Sequence, residues 1–187
     1  YINGDVKPSE VDDFEDYNDE WRLVTGNGPD IVFESKEMTL NGESKIDITS
    51  AGAGNAGSLS ITTKNLEIAD FSSISSTASK TGNAGSIEIS ADDILLNNYS
   101  EIATVTNFIP DKEEQVGNPA GTGGDLVLEA KTLKIMDNSG MELGTWGQGD
   151  SGSVTIRSDE VILEGSYING DVYGDAALDE NFEENWQ

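Results

Sequence analysis

Cysteine and histidine are both absent from these 187 residues, and basic residues are scarce: ten lysines and arginines stand against 36 aspartates and glutamates. Without cysteine there is no disulfide framework and no thiolate chemistry, so a packed core must supply the stability. Without histidine the serine–histidine route to acyl transfer has no base. The net charge of −26 excludes a nucleic-acid surface, because phosphate is held by lysine and arginine. An anionic membrane is disfavoured on the same ground. No apolar run approaches the length of a membrane-spanning helix, and no signal-peptide pattern is present. The chain also lacks an initiator methionine, and it is expected to be a soluble part of a longer precursor. Helical periodicity is missing too: no window carries a 3.6-residue apolar stripe, so almost no helix is predicted. The partners left by these absences are cations, cationic surfaces, glycans and copies of the chain itself.

What is present is repetition, on two scales. Residues 1–6 read Tyr-Ile-Asn-Gly-Asp-Val, and residues 167–172 read the same, 166 positions later. Both copies run on into acidic stretches that close on a tryptophan, Trp21 and Trp186. The chain therefore spans slightly more than one period of a tandem array.

The shorter repeat lies inside the longer one. Gly57-Ser-Leu-Ser-Ile61 returns as Gly85-Ser-Ile-Glu-Ile89, as Gly124-Asp-Leu-Val-Leu128 and as Gly152-Ser-Val-Thr-Ile156. The spacing is 28 residues except between the second and third copies, where an 11-residue insertion makes it 39. Pro29-Asp-Ile-Val-Phe33 is an earlier copy with proline at the glycine position. Each unit has three apolar stations, as in Leu59/Ile61, Leu66/Ile68 and Ile74. Within a station the apolar residues are two apart, the period of a strand. Glycine-rich stretches such as Thr81-Gly-Asn-Ala-Gly85 close the units, and these glycines are expected to serve positive-φ turns.

Three short strands per 28-residue unit predict an all-β fold: a parallel β-solenoid of about five coils over residues 29–168. The flanking segments 1–28 and 169–187 read as two copies of a junction between rods. The stretch Gly82-Asn-Ala-Gly-Ser-Ile-Glu-Ile-Ser-Ala91, with Ile94-Leu-Leu96 and Ser100-Glu-Ile-Ala-Thr104, resembles the repeats of bacterial filamentous-haemagglutinin-type exoproteins. That resemblance implies a right-handed parallel β-helix, secreted through a two-partner outer-membrane route and displayed as a surface fibre or adhesin.

Two kinds of candidate site lie outside the repeat. The acidic segments are dense in carboxylates, and hard cations take roughly six to eight oxygen ligands. Asp13, Glu15, Asp16, Asn18 and Asp19 are the candidate calcium ligands, although their spacing is not that of an EF-hand; no other cofactor is expected. Phe14, Tyr17, Trp21, Phe182 and Trp186 are candidate assembly contacts, since aromatic side chains bury much area with few rotors. The insertion near 107–117 carries Phe108, Asp111 and Lys112, candidate glycan-binding residues on a solenoid loop. Trp146, Tyr99 and Tyr167 are further candidates for a sugar-stacking surface.

Motifs with a catalytic look are better explained by the repeat. Gly149-Asp-Ser-Gly152 has the sequence around a serine nucleophile, but Gly152 falls in register with Gly57, Gly85 and Gly124. Gly52-Ala-Gly-Asn-Ala-Gly57 and Gly147-Gln-Gly-Asp-Ser-Gly152 match a dinucleotide fingerprint yet lead into strands, leaving no helix N-terminus for phosphate. Asp92-Asp93 and Asp159-Glu160 occupy matching bends, and a glycosidase would need two such carboxyls roughly 5–10 Å apart. The reading that results is a non-enzymatic structural or adhesive component of an extracellular or cell-surface fibre. A carbohydrate-binding adhesin module is the alternative, and a polysaccharide lyase or hydrolase comes third. If the acidic segments pin rod to rod, replacing Phe14 and Trp21 with alanine weakens assembly in sedimentation velocity while the isolated rods keep their circular dichroism.

Overall fold

The computed structural model describes residues 2–3, 26–79, 81–107, 121–146 and 149–173. Among them there is no helix, and all the strands pair in parallel, one coil upon the next. The first station is built from β2 (Ile31–Glu34), β5 (Leu59–Thr62) and β8 (Ile87–Ser90). The second is built from β3 (Glu37–Leu40), β6 (Asn65–Ile68) and β9 (Asp93–Leu96). Two longer strands, β11 (Leu126–Met136) and β13 (Val154–Glu164), run through both stations and join them into one sheet. The third station is a six-stranded sheet in the order β1 (Ile2–Asn3), β4 (Lys45–Ser50), β7 (Ser73–Ser79), β10 (Glu101–Asn107), β12 (Gly140–Trp146) and β14 (Tyr167–Tyr173).

The architecture is the expected parallel β-solenoid, with two corrections. About four turns are complete; residues 154–173 pass through all three stations of a fifth without closing it. Three short strands per coil hold for the first three coils alone. In the last two, pairing continues through Ala130 and Ser158, so the bend between stations no longer interrupts the strand.

The core consists of columns of like side chains. Ile46, Ile74, Ile102 and Met141 stack in register and are fully or almost fully buried. Leu59, Ile87 and Leu126 form a second column, and Leu66, Ile94 and Leu133 a third. Alternation within each strand sends every second residue into this interior, as in the buried Ile87 and Ile89 flanking the exposed Glu88. One coil has no core of its own; burial arises where coils share it.

The third station also carries buried hydroxyls. Thr104 donates to the Gly124 carbonyl at 2.6 Å, Ser50 to the Gly54 carbonyl at 2.6 Å, and Ser76 accepts from the Gly85 amide at 2.8 Å. These hydroxyls satisfy backbone groups of the corner that leads to the next coil, which is why an otherwise apolar interior tolerates them. On the outside of the same corner the link is an asparagine ladder. Asn27 Oδ1 accepts from the Asn55 amide, Asn55 Oδ1 from the Asn83 amide, and Asn83 Oδ1 from the Thr122 amide, all at 2.9–3.0 Å.

The glycines of that corner serve close approach and not positive φ, contrary to the expectation from composition. A Cβ built on Gly85 would lie 1.8 Å from the Gly57 carbonyl oxygen, and one on Gly152 would lie 2.0 Å from that of Gly124. Positive φ occurs instead at the turn between the second and third stations, mostly without glycine: Asp70 and Phe71, Asn98 and Tyr99, Asp137 and Asn138. These turns hook onto the next coil, Phe71 N–H donating to the Asn98 carbonyl at 3.0 Å and Tyr99 N–H to that of Asp137 at 3.0 Å. The coil stacking over-determines the left-handed backbone, so bulky residues are held there against their intrinsic preference.

Gly85→Ala is expected to cost about 3 kcal/mol or more, because the clash is with backbone that cannot yield. Gly42→Ala, at φ 60° with open space around it, should cost about 1 kcal/mol from backbone strain alone. Urea denaturation of the two variants measures the difference; equal midpoints would refute the close-approach explanation.

Candidate functional site

The residues singled out from sequence divide sharply. Asp13, Glu15, Asp16, Asn18 and Asp19, the calcium candidates, lie outside the described residues, as do Phe14, Tyr17, Trp21, Phe182 and Trp186. Phe108, Asp111 and Lys112 of the insertion lie outside them too. Among the described residues, no group of three or more acidic side chains is arranged to hold a metal ion.

The paired-carboxylate bends are described, and a cation stands between them. Lys131 Nζ lies 2.8 Å from Asp92 Oδ1, in the coil between Asp92 and Asp159. The Lys131 hydrogen bond holds the Asp92 carboxyl below its ordinary value, and the Asp92 carboxylate, with smaller help from Asp93 and Asp159, raises the lysine. From Lys64 through Asp92 and Lys131 to Asp159 the bends alternate in charge, while the first bend, Lys36, repeats the charge of Lys64. Gly152 packs against the Gly124 carbonyl as a corner glycine, in keeping with the repeat explanation of Gly149–Gly152.

Two features of the outer surface escaped the sequence reading. Phe71 and Tyr99, both exposed, stack face to face with centroids 5.1 Å apart and planes within 2°. Their 28-residue separation, at the same place in successive coils, was the available signal. Tyr99 is thus engaged with Phe71, while Tyr167 lies on the outer face of the third sheet and donates to Glu101.

The second feature is an acidic cluster around Tyr167. Its ring lies across Gly140, where a Cβ would come within 2.6 Å of three ring carbons. The missing side chain lets the phenol reach past β12 and donate to Glu101 Oε1 at 3.1 Å. Glu142 sits beside this pair and is pushed above the ordinary carboxyl range, first by burial and then by the charge and hydrogen bond of Glu101, with Asp171 adding to it. Burial, then the charge and hydrogen bond of Glu101, push the Tyr167 phenol up to about 12. The hydrogen bond between Glu142 and Glu101 favours the protonated form of the Glu142 carboxyl.

The ends of the stack form the remaining candidate site. Leu133 and Ile135 are fully buried, but Val161 and Leu163, next in the same columns, are 46% and 51% exposed. Ile168 and Val172 of β14 are likewise exposed. Among the described residues no strand pairs with the outer edge of β13 or β14. At the opposite end β1 covers part of the edge of β4, with Ile2 opposite Ile46 and Asn3 opposite Asp47. Ile2–Asn3 and Ile168–Asn169, equivalent pairs in the two copies of Tyr-Ile-Asn-Gly-Asp-Val, therefore occupy the same station at opposite ends of one register column, which runs Ile2, Ile46, Ile74, Ile102, Met141, Ile168.

Comparison of the chain with protein-family models, curated proteins and solved structures finds no match. The class defined by the structure is the parallel β-solenoid.

The pKa of Glu142 is higher in the folded state than in the unfolded one. Its contribution to stability is present in acid and is lost as pH rises through the folded pKa. Glu142→Gln should therefore gain in urea midpoint over the unmodified chain as pH goes from acid to neutral, and a constant difference would contradict the upward shift of Glu142. Tyr167 follows the same sign in alkali, its contribution being present below pH about 10 and lost through about 12. In an absorbance titration the last phenol to ionise should disappear in Tyr167→Phe.

Proposed function

We propose that this chain is a structural, adhesive component of an extracellular or cell-surface fibre built from tandem solenoid repeats of 166 residues. The observation that carries the reading is the placement of one Ile-Asn pair, from the recurring hexapeptide, at both ends of the sheet. Within β14, Ile168–Asn169 pairs with β12 through one edge, and as β1, Ile2–Asn3 pairs with β4 through the other. If the two copies are one position in a repeating array, β12, the hexapeptide and β4 of the next period form an unbroken sheet. The core columns then continue across the boundary, and the half-exposed Val161 and Leu163 gain a coil above them. Burial of otherwise open apolar columns drives the continuation, since each free end exposes residues that the interior hides.

No catalysis is assigned to the chain: at the bends Lys131 pairs with Asp92, one of the carboxylates that a hydrolase or lyase would employ. Calcium bound by the acidic segments 5–21 and 171–186 would offset the repulsion that 36 acidic side chains impose on an array. The carbohydrate-binding alternative rests on the loop around Phe108. The exposed aromatic pair adds little to it, because Phe71 and Tyr99 each cover one ring face of the other.

Cryo-electron microscopy of native material, with and without a calcium chelator, tests the reading. Five strand steps of about 4.8 Å give an expected axial repeat of about 24 Å. Isolated short particles without an axial repeat would overturn the fibre. Order lost on chelation would assign calcium to the acidic segments, and order retained would remove it.

A further inference from the structure

The edge of β4 is occupied by Ile2–Asn3 of a hexapeptide that recurs at the other end of the same molecule, where, among the described residues, no strand covers its outer edge. We propose that β14 of one copy replaces β1 on the β4 edge of a second copy, so that separate chains join head to tail by strand exchange. This rests on the fibre reading and deepens it by naming the partner, a second copy of this chain, and the joint. The register follows from the pairing already present: Ile168 falls opposite the partner's Ile46, and Asn169 opposite the partner's Asp47.

Exchange is favoured because it loses little. The bonds that β1 makes to β4 are replaced by those of an identical sequence. What is gained is cover for Val161, Leu163, Ile168 and Val172 beneath the partner's first coil. That coil brings its own incompletely buried Ile31, Phe33 and Met38 to the joint. Opposing this is the tether: β1 competes from within the same chain at high effective concentration. Association is therefore slow and steepens with protein concentration. The two surfaces differ, so the contact is heterologous and propagates as a filament instead of closing as a dimer.

The absence of natural cysteine gives a clean test. Asn169 and Asp47 lie on β14 and β4, four strand steps apart in one molecule, about 19 Å, which is too far for a disulfide. In the joint they are direct neighbours. The double variant Asn169→Cys/Asp47→Cys, oxidised at high concentration, is expected to give a ladder of covalent multimers. It should form at least tenfold faster than with Asn169→Cys/Thr39→Cys, whose second cysteine lies in the other sheet. Disulfide-linked peptides joining position 169 to position 47 confirm the register. Equal rates for the two variants, or dimers linked 169 to 169, overturn the proposal. Asp171→Cys/Thr49→Cys, the next outward pair in the same register, serves if the first variant does not fold. A concatenated chain, residues 1–166 fused ahead of 1–187, separates the two ideas. If it forms a single rod of doubled length while no ladder appears, exchange between chains is wrong and the tandem fibre stands. If both fail, both are wrong.

Discussion

Everything in this solenoid depends on how closely one coil can lie on the next at a single corner. There the backbone of each unit passes so near its neighbour that a methyl group on Gly85 or Gly152 would sit inside a carbonyl oxygen's radius. That approach brings Asn55 and Asn83 within hydrogen-bonding reach of the following coil and lets Ser76 and Thr104 satisfy the corner from inside. With the corner fixed, parallel pairing at the three stations stays in register, and the isoleucine and leucine columns follow. Hydrophobic burial supplies most of the driving force here, but the glycines decide which stacking can collect it.

The columns were legible in the sequence because two periods coincide. Alternation marks which residues of Ile87-Glu-Ile89 face inward, and the 28-residue repeat states which residue lies above which. The reason for the glycines was not legible, since a residue needed for φ and one needed for closeness look alike in a sequence. Positive φ fell instead on Phe71 and Tyr99, which propensity alone would keep out of that region. The merging of two stations in β11 and β13 was also missed. It turns on whether the backbone pairs through one bend residue, which side-chain pattern does not report.

For the candidate site the balance was less favourable. Glu101, Glu142 and Tyr167 come together across β12 only when the insertion after β10 is counted out, and their contact depends on the bare Gly140. The bend carboxylates were found from sequence, but Lys131 between them became visible only with the coils stacked. The acidic and aromatic residues of the junctions and of the insertion carry no repeat register, so no column placed them in advance.

The chain carries more length than five 28-residue units need, and that extra length falls at particular points of the coil. The acidic segment leaves after β1 and the insertion after β10, and β1 and β10 belong to the same six-stranded sheet. In sequence, both stretches fall between the third station of one coil and the first station of the next. Departures from the 28-residue period are therefore concentrated at one of the three corners, while the other two keep their length to within one residue from coil to coil. Length is metered where strands must stay stacked on both sides, and only the step from one coil to the next admits extra chain.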